Sequence, residues 1–281
     1  MEVDVNVMET LPQDVAGSIA PRSQILTISD EVLHSSRGIP VHARGTHLPF
    51  TVRLVRTEEH LLKAVQVRAQ AFLRHAPQFG AQLLEPEEAD RTRGNVVLLA
   101  ESKSTGEPEG SIRIETNLNF RTELEAVVRL PDFLRDKTIA QVGRLGVKAG
   151  PDGTLVKRAL FKALYRFCLA TQIDYMLVAA RTPVDREFMK LGFREVFEQP
   201  TLLSFPSQGK KHLRLFVFDV PAGERTWREA KHPLYKFMIE DFHPDIEIFS
   251  SVRGMWAMPR SKRSSESRVP DVPATLDIPV V

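Results

Sequence analysis

The sequence predicts an α/β protein built on a mixed, mostly antiparallel sheet flanked by helices. Three patterns carry that expectation. A strand candidate at 138–147, a helix candidate at 154–171 and the apolar run Tyr175–Ala180 follow one another at the spacing of a strand–helix–strand crossover, which joins parallel strands. The runs 96–100 and 111–117 flank Gly106-Glu107-Pro108-Glu109-Gly110, a hairpin turn. Segments 193–197 and 211–220 pattern as an antiparallel pair near the C-terminal end.

In chain order, residues 1–48 show no sustained period and read as a flexible arm, with a short helix near Asp30–His34. Order begins with an alternating strand at 50–55. A helix follows at 58–74, with Leu61, Leu62, Val65, Ala69, Phe72 and Leu73 on its inward face. Pro77 ends it. In the strand at 111–117, Ile112 and Ile114 share one face while Ser111, Arg113, Glu115 and Asn117 share the other. That polar face is read as solvated ahead of lining a site. Residues 118–137 read as a charged connection with a turn near Pro131–Leu134. In the helix at 154–171, Val156, Leu160, Ala163, Leu164 and Phe167 recur at helical spacing. A second helix closes on Lys190-Leu191-Gly192-Phe193, and the stretch 199–210 reads as a link. Short helices are expected near 224–231 and 233–240. The domain division expected is an arm at 1–48, a main α/β domain at 49–221, a helical extension at 222–258 and a disordered tail at 259–281.

Composition sets bounds. Among 281 residues, 42% are hydrophobic and 26% charged, the balance of an ordinary globular protein. A formal net charge of +2 demands neither nucleic acid nor an acidic membrane. The single cysteine, Cys168, excludes an intrachain disulfide framework, and it reads as a packing residue on its helix. No apolar run reaches a membrane span, and the first residues lack a basic-then-apolar leader pattern, so a cytoplasmic location is expected. The eight histidines show no metal-ligand spacing, and no metal is expected.

The order of elements, with Lys190-Leu191-Gly192-Phe193 closing the second helix, resembles the GNAT N-acetyltransferase superfamily over roughly residues 50–220. A narrower set resembles the acyl-homoserine-lactone (autoinducer) synthases within that fold. Arg68 and Phe72 have the Arg-x-x-x-Phe spacing, and Phe79 stands near where that family has Trp. Glu87 with Asp90 resembles its acidic pair, Arg113 follows Gly110, and Gln141-x-x-Arg144 stands where the family has Glu-x-x-Arg. The two departures, Phe for Trp and Gln for Glu, turn the implication toward the related long-chain N-acyl amino acid synthases. The resemblance implies an acyltransferase that takes an acyl chain from the phosphopantetheine of acyl carrier protein and places it on an amino acid's amine, with no tightly bound cofactor. Rival implications are an acyl-homoserine-lactone synthase, a coenzyme A-dependent acetyltransferase, and a non-catalytic sensor of acyl chains or carrier protein.

On that reading Glu115, Gln141, Arg144 and Gly146 are the catalytic candidates. Glu115 is the first candidate for base or water-positioner. Gly143 and Gly146 suit a bulge in the fourth strand that aims a backbone donor at the thioester oxygen. Such a bulge would also bring Gln141 and Arg144 to one face. The alternative for both glycines is close packing alone. Arg68, Phe72, Phe79, Glu87, Asp90 and Arg113 are the substrate-binding candidates. Arg113 and Arg144 hold a carboxylate, either the acceptor's or that of the acidic pair. The phosphopantetheine arm is expected along Val147, Lys148, Gly150 and Gly153. Pro151 and Asp152 make that turn a poor pyrophosphate cradle, which suits a carrier protein better than coenzyme A. Lys157, Arg158 and Lys162, with Arg166 continuing the column, offer a basic docking face; a solvated face is the bland alternative.

Overall fold

The computed structural model describes residues 45–199, 201–205 and 209–248. The expectations placed on 1–44 and 249–281 lie outside the described residues. Strand β1 (Phe50–Leu54) leads into helix α1 (Glu58–His75), whose first turn holds Glu58 and Glu59 and whose last holds Arg74 and His75. These charges oppose the helix dipole at both ends, and Thr57 caps the start by accepting the His60 N–H at 3.2 Å. The one-turn helix α2 (Pro77–Gly80) follows. Strands β2 (Asn95–Ser102) and β3 (Pro108–Thr116) form the expected hairpin. After the short helix α3 (Glu123–Val127) come β4 (Ile139–Val147), α4 (Gly153–Ala170), β5 (Tyr175–Ala180), α5 (Val184–Lys190) and β6 (Arg194–Glu195). Then β7 (Thr201–Phe205), β8 (Gly209–Asp219), α6 (Val220–Glu229), a π-turn at Lys236–Glu240 and β9 (Ile246–Glu247) complete the described chain.

The strands run in the order β6–β8–β5–β4–β3–β2–β1–β9, with β7 pairing β8 off that path. Only β4–β5 and β1–β9 are parallel among the described pairs. This is the mixed, mostly antiparallel sheet expected. The stretch 199–210, read as a link, is corrected: Thr201–Phe205 form β7, paired antiparallel with β8.

Side-chain alternation puts two layers on the sheet. Leu98, Ala100, Ile112, Ile114, Ala140 and Val142 pack with Val156, Leu160 and Leu164 of α4. Val97 and Leu99 point the other way, to Leu61, Ala64 and Val65 of α1. Leu62 and Leu73, expected inward, are exposed instead, and the buried stripe of α1 includes Ala64, Val67 and Arg68. The polar face of β3 is likewise buried: Ser111, Arg113 and Glu115 lie beneath α1 and the loop after it. The solvated reading of that face does not hold.

Two glycines mark where helices come close. A Cβ on Gly110 would lie 2.7 Å from Val156 Cγ1, and one on Gly146 would lie 2.7 Å from the Arg68 Cα. On Gly143, a Cβ would meet nothing within 4 Å. Gly146→Ala must therefore move backbone and should cost about 1–3 kcal/mol. Gly143→Ala should instead gain up to about 1 kcal/mol through reduced chain entropy. Urea unfolding midpoints of the two variants check the opposite signs.

Candidate active site

The register of β3 against β4 shifts by one residue. Arg113 faces Gly143 and Ser111 faces Gly146, so β4 advances three residues while β3 advances two. The extra residue sits at Arg144–Leu145, and Arg144 takes φ 54°, the left-handed conformation. The bulge stands where expected, but neither glycine adopts the positive φ. Gly146 serves close packing, the alternative weighed for it. A left-handed arginine costs on the order of 1–2 kcal/mol, so neighbouring contacts must hold it.

Glu87 supplies them. Its carboxylate accepts Arg144 Nε and one terminal nitrogen, both at 2.7 Å, and Arg113 at 2.9 Å. Asp90 accepts two bonds from Arg68 at 2.8 and 2.5 Å, and Arg113 also lies 3.3 Å from it. Arg113 continues to Glu115, with bonds of 3.0 and 2.9 Å. Phe79 lies under the Arg144 guanidinium at 5.2 Å and meets Phe72 edge-on. The acidic pair is thus the carboxylate that Arg113 and Arg144 hold. Three arginines and three carboxylates form one neutral network, with Arg68 wholly buried. Arg68 Nε and Ser111 Oγ are buried beside it with no hydrogen-bond partner among the described residues.

Gln141 stands across from Glu115, and its side-chain oxygen accepts the Leu124 N–H at 2.7 Å. Helix α3, which holds that N–H in place, was not expected. Its signal was present: Thr122 and Glu125 form a capping box, with Thr122 N–H to the Glu125 carboxylate at 2.8 Å and the Glu125 N–H to Thr122 Oγ1 at 3.3 Å.

Gln141 is also where the sheet divides. The pairing of β4 with β5 covers only Ile139–Gln141 and Tyr175–Leu177, although β4 continues to Val147 and β5 to Ala180. The two parallel strands therefore part toward their C-terminal ends, on either side of the turn into α4. A crevice at the carboxyl ends of parallel strands is where open α/β sheets bind ligands.

The residues expected for the phosphopantetheine arm divide. Val147 ends β4, and its carbonyl accepts Arg74. Gly150 has open space around it, and Gly153 begins α4. Asp152 is exposed at the helix start and makes no capping bond. Lys148 pairs with Glu109 at 3.0 Å, Lys157 with Glu187 at 3.4 Å, and Arg158 is exposed. Lys162 must be removed from the docking column. It is buried, and its three protons are matched by the Phe237 carbonyl at 2.7 Å, the Asp241 carbonyl at 2.5 Å and His243 Nδ1 at 3.0 Å. The first carbonyl lies within the π-turn and the second belongs to the residue that caps it. Burial, and secondarily the charge of Arg166, lowers the Lys162 ammonium to about 8. Cys168 is buried, which raises its thiol and leaves it a packing residue. No group of three or more potential metal ligands occurs among the described residues, and no described helix is long and apolar enough to cross a membrane.

No family profile matches the sequence, and no curated protein is similar to it. Among solved structures, the chain is similar to FeeM, an N-acyl amino acid synthase from uncultured soil microbes. The identity is 16%, covering 67% of this chain and 98% of that one, with a TM-score of 0.49. It is similar to BjaI, a coenzyme A-dependent acyl-homoserine lactone synthase, at 18% identity over 66% and 90% of the two chains, with a TM-score of 0.45. A probable acetyltransferase from Staphylococcus epidermidis shares 13% identity over 60% and 98%, with a TM-score of 0.44. The class defined by the structure itself is an α/β protein with a mixed, mostly antiparallel sheet. Its sheet forks between β4 and β5, and a neutral arginine–carboxylate network braces a bulge beside the fork.

Two acid–base predictions follow from the charges. Burial pushes the Glu87 and Asp90 carboxyls up, but the arginine hydrogen bonds and charges outweigh it and hold both below their usual values of 4.5 and 3.8. Their stabilisation is complete above those values and is lost as pH falls through the lower folded ones. Glu87→Gln should cost about 3–5 kcal/mol at neutral pH and flatten the acid limb of a pH–stability curve. Lys162 has the opposite sign. Its ammonium is lowered from 10.5 to about 8, so the unfolded chain binds more protons between those values. Stability gains a contribution as pH rises through that window, and Lys162→Met should remove it; chemical denaturation at several pH values reads both effects.

Proposed function

We propose that the chain is an N-acyltransferase, moving a long acyl group from the phosphopantetheine thioester of an acyl carrier protein to the amine of an amino acid. The observation that supports it is the bulge at the fork. Beyond Gln141, β4 runs on without β5 beside it, and an extended arm carrying amide groups can lie along that edge as a strand would. The bulge takes Leu145 out of the β3 register, and we assign its N–H as the donor to the oxygen of the attacked thioester. Gly143 leaves the neighbouring space open for the reacting carbonyl.

The chemistry then needs few groups. The acceptor's neutral amine attacks the thioester carbon, the C–N bond forms and the C–S bond breaks. The amine's proton passes to Glu115, directly or through a water, and from there to the departing thiolate. Glu115 Oε1 is held by Arg113, while Oε2 has the Glu123 N–H only at 3.5 Å and retains accepting capacity. Arg144, Arg113 and Arg68 act by fixing the bulge and the carboxylates, and positioning of this kind supplies much of the acceleration in acyl transfer. The carrier protein as donor, in preference to coenzyme A, is supported by Asp152. Its exposed carboxylate stands at the start of α4, where a pyrophosphate would otherwise seek exposed N–H groups. The long chain follows from the resemblance.

Purified protein given acyl carrier protein charged with a long-chain thioester and a mixture of amino acids should release carrier thiol and yield an equal amount of N-acyl amino acid by mass spectrometry. Arg144→Ala should lower the rate about 100-fold by freeing the bulge. A folded wild-type protein that releases no thiol with any amine would overturn the assignment.

A further inference from the structure

The pair Glu115 and Gln141 carries information about the acceptor, on the assumption that the acyltransferase reading above holds. The two residues face each other across β3 and β4, both buried, at the last residue before the fork. Gln141 is 6% exposed, and its oxygen is committed to the Leu124 N–H at 2.7 Å. An N–H must meet an acceptor, so this contact fixes the orientation of the amide and leaves –NH2 as its other end. That nitrogen makes no hydrogen bond among the described residues. Beside it, Glu115 presents an oxygen whose protein contact is the long 3.5 Å approach of the Glu123 N–H.

The arginines do not offer a competing site for an anion. Arg68 is bidentate on Asp90, Arg144 is bidentate on Glu87, and Arg113 spans Glu87, Asp90 and Glu115. Three positive and three negative charges cancel, so a substrate carboxylate finds no surplus charge in the network. We infer that Glu115 and Gln141 together read the two ends of an α-amino acid: Glu115 accepts a hydrogen bond from the neutral α-amine, the group whose proton it takes on attack, while the Gln141 amide donates to the α-carboxylate or another carbonyl oxygen at that position. A carboxylate in place of the amide would face Glu115 and the incoming carboxylate with like charge and select against the same ligand.

The test compares kcat/KM for an amino acid, its carboxamide and its decarboxylated amine, in wild type and in Gln141→Glu. The variant keeps an oxygen for the Leu124 N–H, so α3 retains its anchor, and a thermal melt verifies that. In wild type, the amino acid and the carboxamide, which both keep an acceptor oxygen, should exceed the decarboxylated amine by about tenfold or more. In Gln141→Glu the preference of amino acid over decarboxylated amine should fall by about the same factor. Equal use of all three by wild type, or a preference unchanged in the variant, overturns this inference while leaving acyl transfer standing. A wild-type protein that acylates none of them overturns the acyltransferase reading and this inference with it.

Discussion

The contact between Glu87 and Arg144 holds together features that would otherwise conflict. Arg144 lies in the left-handed region inside a central strand, and its guanidinium is buried, two conditions that each raise the free energy of the folded state. Two 2.7 Å bonds donated by Arg144 to one carboxylate offset both, and the same carboxylate also accepts from Arg113. Through Arg113 the brace continues to Glu115 and Asp90, and through Asp90 to Arg68 on α1. The position of α1 on the sheet is set by the same chain of contacts, since a residue larger than glycine at 146 would strike the Arg68 backbone.

Much of this was legible in the chain. Apolar spacing located the strands and long helices because burying one face is what organises them. The family resemblance placed Arg68, Phe72, Phe79, Glu87, Asp90, Arg113, Gln141 and Arg144 in one set; the structure joins the arginines and carboxylates of that set in one network, with Phe79 under Arg144 and Gln141 across from Glu115. What resisted reading was burial of charge. Arg113 and Glu115 alternate with isoleucines on β3 as a solvated face would, and nothing local distinguishes a face covered by water from one covered by α1 and the loop that follows. Lys162 failed for the same reason. Its i, i+4 relation to Arg158 and Arg166 describes a column, but only the chain some 75 residues later supplies the carbonyls that draw it inward.

The bulge shows a different limit. Glycine was the natural carrier of a positive φ, and two were at hand. The structure puts the strain on the arginine between them, because a residue of that conformation must also reach Glu87. Gly143 and Gly146 are left with steric tasks of opposite kind, one beside open space and one under a helix. Backbone freedom at glycine predicts where a bulge can form; which residue bears it is decided by long-range contacts.

A buried ion network of this size is a poor instrument for stability alone. Desolvating six charged groups costs several kcal/mol each, and apolar residues of similar volume would often serve a core equally well. The network's worth therefore lies in geometry. It fixes a strained bulge, an open space beside Gly143 and a carboxylate at Glu115 in one place, next to the point where β4 and β5 separate. Because its own charges cancel, it does so without leaving a net charge beside the fork. On the proposed acyltransferase reading, discrimination among ligands falls to hydrogen bonds with direction, and among the described polar groups of this face the Gln141 amide has its direction fixed by a backbone donor outside the network.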